Sequence, residues 1–432
     1  MERPEQQQQQ EQPPELPTSD DSALQLRHPT AAECEQIWRD TWASWGGALD
    51  LPTYLDESRF LTTVPLARDQ GMMTWVLVDG RRPPDQRAVL CSCESFAKRA
   101  LANDAADGTA VDEEGVVHAI ASVFTPPAFR GRGYAGRLLR ELAARLRTWQ
   151  PDRGTALGSV LYSDIGSAYY AKFGWRPDPN NLHLDFPPQM QTAQDPSGSG
   201  SGSGLAPPLA ESDLSALCAR DERMVRAAMA QGPGSSSQRQ RQQRRRVTIL
   251  PDLDHMLWHI RKEDFAARHL FGGSMPEIKG AIAGTSPGSQ VWAIWKRRWY
   301  ARPGAGPEAG GPDNVLYILR LVVERDGSAN GGGGTGEEEE FKMDAGLQAE
   351  QVERLAAVLQ AARAQAAEWQ LDRVRLWAPS PWVRDAVAQL GMDYEVVERR
   401  EDGVASALWY GDEGADGDAP TTWVNNEHYA WC

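Results

Sequence analysis

The sequence predicts an α/β fold built as two units, each a mixed sheet flanked by helices. Three observations predict it. Strand-like runs alternate with stretches whose apolar residues fall at helical spacing, in both halves of the chain. The order of elements in residues 23–187 recurs in residues 290–410. A Gly/Ser-rich stretch at 188–210 divides the two by composition, as a flexible linker does.

In the first unit, residues 24–30 (LQLRHPT) form a strand and AAECEQIWRDTWASWG after it a helix. Residues 73–80 and 88–96 are strand-like, and an acidic turn precedes the β-branched run 116–124 (VVHAIASVF). After a glycine-broken turn, Leu138, Leu139, Leu142 and Leu146 share one helical face. A strand at 156–163, a short helix stopped at Gly174 and a strand at 181–186 complete the unit.

The second unit spans 211–412. It opens with a helix at 211–231 that places Leu214, Leu217, Cys218 and Met224 on one side. Strands QVWAIW and NVLYILRLVVE, a long helix from Leu347, a strand DRVRLWAP, a helix SPWVRDAVAQLG and a closing strand pair follow. The inserts 232–246 and 326–342 are of low complexity and read as disordered, as do the Gln- and Pro-rich residues 1–22. Residues 413–432 form a tail able to close over a pocket.

The chain has 432 residues and a net charge of −15. A dedicated nucleic-acid binder needs a dominant basic surface, so that class is excluded as an expectation. No apolar run approaches the roughly 18 residues of a membrane span, and the first 22 residues are no signal peptide. Five cysteines without a second close pair beside Cys91 and Cys93 fit neither a zinc set nor a disulfide scaffold. A soluble, cytoplasmic protein without a metal is expected.

The chemistry concentrates at Arg130-Gly131-Arg132-Gly133-Tyr134-Ala135, between a strand end and a helix start. A helix start leaves about four backbone N–H groups without partners and carries partial positive charge. Small residues let an anion approach those donors, and Arg130 and Arg132 add formal charge, which suits a pyrophosphate. No Gly-Lys-Ser/Thr follows, so the turn is not a P-loop, and the glycine spacing is not that of a Rossmann turn. A basic turn that binds nothing is the competing account.

Arg130-x-x-Gly133-x-Ala135 after a strand resembles the acetyl-CoA signature of the GNAT acetyltransferase superfamily. SDIGSAYYAKFGW downstream resembles that superfamily's second motif. The resemblance implies acetyl-CoA as co-substrate, its pyrophosphate on the amides of residues 130–135 and its pantetheine along Val123, Phe124 and Thr125. It implies Tyr170 as general acid and a backbone amide near Val123 or Phe124 as oxyanion donor. Acetyl transfer to an amine also needs a base, since a lysine-type ammonium has a pKa of about 10.4. Glu94, on the preceding strand, and His118, on the strand leading to the turn, are the candidates.

The second unit resembles a GNAT fold that has lost its chemistry. It lacks the glycine turn, carries Glu337 to Glu340 in that connection, and has Val387 in the place of Tyr170. The segments SCESF, HAIASVFTPPAFRGRGYA, LPDLDHMLWHIRKEDF and WVNNEHYAW together resemble the fungal lysine acetyltransferase family, which acetylates the side-chain amine of free L-lysine in lysine catabolism. That implies L-lysine as substrate, with Trp258, His259, Arg261, Glu263, Asn426 and Glu427 as candidate contacts. A protein lysine or N-terminal acetyltransferase, and a non-catalytic acetyl-CoA-binding regulator, are the alternatives.

Overall fold

The computed structural model describes residues 16–104, 111–190, 206–230, 245–304, 313–324, 345–411 and 421–431. In chain order these form β1 (Leu24–Arg27), α1 (Ala31–Trp45), α2 (Leu51–Leu61), β2 (Met72–Asp79), β3 (Cys91–Asp104) and β4 (Val111–Phe124). There follow α3 (Tyr134–Leu146), β5 (Thr155–Ser163), α4 (Ala168–Ala171), β6 (Arg176–Pro177), β7 (Leu182–Phe186) and β8 (Pro208–Leu209). Next come α5 (Glu211–Ala230), β9 (Arg246–Ile249), α6 (Leu253–Leu270), β10 (Gly280–Ala283), β11 (Val291–Arg298) and β12 (Val315–Val323). The chain closes with α7 (Ala345–Glu368), β13 (Arg373–Trp377), α8 (Pro381–Gln389), β14 (Glu395–Glu398), β15 (Val404–Trp409) and β16 (Thr422–Val424).

Two mixed sheets result. The first runs β1-β2-β3-β4-β5-β15-β6, with β9 joining β3 and β16 joining β9; the second runs β14-β7-β13-β12-β11-β10-β8. Each half carries one mixed sheet, but the halves exchange strands. β7, from the first half, pairs with β13 and β14 in the second sheet. β15, from the second half, pairs with β5 in the first, Ala405 facing Tyr162. The expected boundary near residue 187 thus passes through the sheets rather than between them. A strand can satisfy its backbone donors on any edge of matching register, and here the matching edge belongs to the other half.

Capping residues set the helix starts. Thr30 and Glu33 form a reciprocal capping box at α1. Asp50 accepts from Thr53 N–H at α2 and Asp252 from His255 N–H at α6. Leu138, Leu139, Leu142 and Leu146 of α3 are wholly buried against Leu77, Cys91, Ile120 and Leu161 of the first sheet.

Residues 16–22, grouped above with the disordered start, are packed. Tyr134 Oη donates to Pro17 O (2.5 Å), Arg137 to Ser19 O (3.0 Å) and Arg81 to Asp21 (3.1 Å). Residues 1–15 lie outside the described residues, as do most of the linker and both low-complexity inserts. Of the linker, Pro208 and Leu209 pair with β10. Of the first insert, Arg246 opens β9. Among the described residues no helix is long and apolar enough to cross a membrane.

Candidate active site

The site begins where two strands part. β4 and β5 run parallel and pair from Gly115–Thr155 to Ile120–Leu161. Beyond Ile120 the pairing stops, which leaves one edge of residues 121–124 without a strand neighbour. On the opposite edge the register slips: Ser92 faces Phe124 and Glu94 faces Ala121, so Ser122 and Val123 together oppose Cys93. This two-against-one bulge holds Ser122 at φ 54° and turns the strand end away from β5. An extended chain fits the open edge as an added strand, through the backbone groups of residues 121–124.

The glycine turn follows directly. Gly131 (φ 76°) and Gly133 (φ 83°) take left-handed backbone, and Gly133 caps α3 without any side-chain hydrogen bond to the helix amides. A Cβ on Gly131 would meet nothing within 4 Å. Residues 130–133 are exposed. Arg130 is held back to its own strand end, donating from Nε to Thr125 O (3.0 Å) and lying over Phe124. An open, uncapped helix start beside two arginines fits a diphosphate. Ser19 stands beside the turn, 3.0 Å from where a Gly133 Cβ would be.

From the notch a cavity of about 1180 Å³ passes between the sheets. Glu94, Ser122, Val123, Tyr162 and Tyr170 line its first part. Ser122 Oγ donates to Glu94 Oε2 (3.0 Å). Burial pushes the Glu94 carboxyl above its ordinary range, against the pull of the Ser122 hydrogen bond and of Lys262. Tyr170, on the single turn of α4, stands edge-on to Tyr169 (centroids 5.4 Å apart). Burial raises its phenol above the ordinary value, with the Asp164 charge adding to it. Tyr170 therefore keeps its proton near neutral pH. Asp164 is raised to about 7 by burial and by the neighbouring Asp402.

The other base candidate is elsewhere. His118 is 1 % exposed, does not line the cavity, and is driven down to about 4 by burial. On β4 it shares the strand side of Ile120, two residues on, which packs against α3. A neutral imidazole walled off from the cavity takes no proton from a substrate there.

The six substrate candidates divide. Trp258 lines the cavity. Its neighbours on α6 do not: His259 faces Tyr429 O (Nε2 at 3.2 Å), Arg261 is paired with Glu211 (2.6 Å), and Glu263 with Arg297 (2.7 Å). The structure commits Glu427 to Arg320, and its other oxygen accepts from Leu321 N–H (2.9 Å). Asn426 accepts from Tyr162 Oη at 3.3 Å. The tail reaches the cavity through His428 and Trp431 instead.

Among the described residues, the corresponding notch of the second unit is not open in this way. β12 and β13 repeat the parallel pairing, which ends at Ile318–Leu376, with a slipped register on the β11 side. The notch beyond is filled by residues 425–427 of the tail, and the strand N–H of Leu321 is spent on the Glu427 carboxylate.

Lining groups that sequence reasoning did not single out are Glu57, Lys262, Arg298, Arg375, Arg399 and Tyr317. Arg375 is clamped by both oxygens of Asp185 (2.8 and 2.7 Å). Arg399 lies 3.9 Å from the Trp377 ring centroid and donates to the carbonyls of Gly403 and Leu182. Lys262 carried a signal, four residues after Trp258 and thus on the same helix face. Glu57 and Arg298 carried none before their elements were placed.

A family model described as the LYC1 GNAT-like C-terminal domain matches residues 183–432. Among solved structures, a GCN5-related N-acetyltransferase from Kribbella flavida is similar over 89% of this chain and 70% of its own, at 15% identity and a TM-score of 0.43. Eis1 from Mycobacterium abscessus is similar over 89% of this chain and 73% of its own, at 12% identity and a TM-score of 0.41. A GNAT family acetyltransferase from Brucella melitensis, in complex with acetyl-CoA, covers 35% of this chain and 82% of its own, at 22% identity and a TM-score of 0.22. No curated protein sequence matches the chain.

Proposed function

Since the chain belongs to the family of the LYC1 GNAT-like C-terminal domain and is an acyltransferase of GNAT type, we propose that it acetylates the side-chain amine of free L-lysine from acetyl-CoA. The observation that carries the reading is one cavity holding a poised carboxylate, a protonated phenol and an open strand edge. The thioester supplies the activated acetyl group, and the residues do the rest. The amides and arginines of 130–135 hold the diphosphate, and the free edge at 121–124 aligns the arm. Glu94, directly or through water, takes the proton of the incoming ammonium. An N–H at Val123 or Phe124 meets the charge developing on the carbonyl oxygen. Tyr170 gives its phenolic proton to the departing sulfur.

Enclosure supports a small acceptor. The cavity has walls from both sheets, from α1, α2 and α6, and from the tail. A peptide acceptor requires an open groove instead. Neutralising the ε-amine is a reasonable entry to lysine breakdown, and a cytoplasmic setting belongs to the same reading. The experiment is thiol release from acetyl-CoA with free L-lysine, and separately with a peptide carrying an internal lysine. Turnover with the free amino acid is expected. Turnover with the peptide alone favours the protein acetyltransferase, and none with either favours the non-catalytic regulator.

A further inference from the structure

α2 and α6 face the cavity with an unusual pair. Tyr54, Glu57, Ser58 and Leu61 recur at helical spacing on α2 and all line it. α6 is locked against α2 by the stacked rings of Phe60 and Phe265 (5.5 Å) and presents Trp258 and Lys262. Glu57 is 0 % exposed, and neither carboxylate oxygen has a hydrogen-bond partner among the described residues. Its nearest cation, Lys262 Nζ, stands 3.9 Å away. A buried carboxylate at that distance gets little of the compensation that burial demands.

Two cations line the same cavity, and Lys262 lies within electrostatic range of both Glu57 and Arg298. Lys262 lines the cavity from α6, and Arg298, at the end of β11, donates to Trp45 O (2.7 Å) while lying over Tyr300. A guanidinium has five donors in a fixed fork, so this bond uses one of them. The other cavity arginines are worse placed to receive a ligand: Arg375 is clamped by Asp185, Arg399 is spent on backbone carbonyls, and Arg400 is paired with Glu398. The cluster of Glu57, Lys262 and Arg298 therefore combines a carboxylate that has no hydrogen bond with two cationic side chains, Glu94 also lying within electrostatic range of Lys262. That pattern complements a group carrying an ammonium and a carboxylate on one carbon.

We propose that Glu57, Lys262 and Arg298 form a head-group site for a free α-amino acid, Glu57 taking the α-ammonium and the two cations the α-carboxylate, with the side-chain amine directed to Glu94. The assignment rests on the acetyltransferase reading above and specifies its acceptor class. None of the three residues takes part in the acyl transfer itself. They are specificity residues, and they distinguish a free amino acid from the same side chain within a peptide, whose α-groups are amides.

The test compares three free amines as acceptors with the full chain. L-Lysine has both α-groups, 6-aminohexanoate lacks the α-ammonium, and cadaverine lacks the α-carboxylate. Losing one charge-assisted contact raises KM by about 10- to 100-fold, so L-lysine is expected to have the lowest KM by that margin over each analogue. In E57Q the preference for lysine over 6-aminohexanoate collapses. In R298Q the preference for lysine over cadaverine collapses. Equal KM values for the three amines in the unmodified protein overturn the head-group site while leaving acetyl transfer standing. So do variants that depress all three amines in parallel. Turnover of none of them, with turnover of a lysine peptide, overturns the free-amine reading on which the site rests. The comparison on the unmodified protein holds even where a variant fails to fold.

Discussion

Under the proposed reaction Tyr170 and Glu94 have opposite proton roles, although their surroundings shift both groups the same way. Burial raises both groups. For the phenol the result is a proton retained throughout the neutral range; for the carboxyl it is a base that ionises later than an ordinary glutamate. Tyr170→Phe removes the donor and keeps the ring, so kcat is expected to fall by about 10²- to 10⁴-fold, with coenzyme A affinity unchanged by calorimetry. In the proposed reaction Glu94 acts only as carboxylate. As pH falls through its raised pKa it takes up a proton, and kcat/KM falls on that acid limb. Glu94→Gln is expected to lower the rate and abolish the limb, which a pH profile of kcat/KM reads directly. Both cavity-lining residues were singled out in the sequence, Tyr170 from its place four before Gly174 and Glu94 from its strand. His118 looked equivalent because it too lies on a strand by the turn. Its strand side, set by the pleat and by which face α3 covers, decided otherwise.

At the scale of elements, the decisive unit is strand, bulge, glycine turn and helix. The strands, the turn and the leucine face of α3 could be read from periodicity and glycine placement. The bulge could not, because a register slip depends on the neighbouring strand: Cys93 faces two residues, Ser122 and Val123. α2 has an Asp50 cap and Pro52 in its first turn, a start signal that sequence reading passed over. The resemblance implied Arg261 and Glu263 as substrate contacts, but Glu211 and Arg297, on other elements, neutralise them. The glycine turn makes a sharp prediction. Gly133→Val places a β-branched residue at φ 83° and its Cβ against Ser19. The left-handed backbone alone costs about 1–2 kcal/mol. A lower melting temperature is expected, together with a KM for acetyl-CoA raised by about tenfold or more as the helix start shifts.

At the scale of the whole molecule, the two halves are one fold. β15 completes the first sheet, β7 the second, and the tail fills the second notch while lending His428 and Trp431 to the cavity. Under the proposed function the first notch stays open for the acetyl donor, while the tail occupies the second. Sequence periodicity located every exchanged strand except β9 and β16 but had no means of assigning partners, since pairing between distant strands leaves no local pattern. A fragment of residues 1–187 lacks β15, β9 and β16 and exposes the edges they cover. It is expected to show no cooperative thermal transition by circular dichroism, whereas the full chain melts in one step. The cavity's orientation of its acceptor is the central claim, with the head group at Glu57, Lys262 and Arg298 and the reacting amine at Glu94. The most direct test is tandem mass spectrometry of the product formed from acetyl-CoA and L-lysine. Acetyl on the ε-nitrogen is the predicted result, and acetyl on the α-nitrogen would contradict the account.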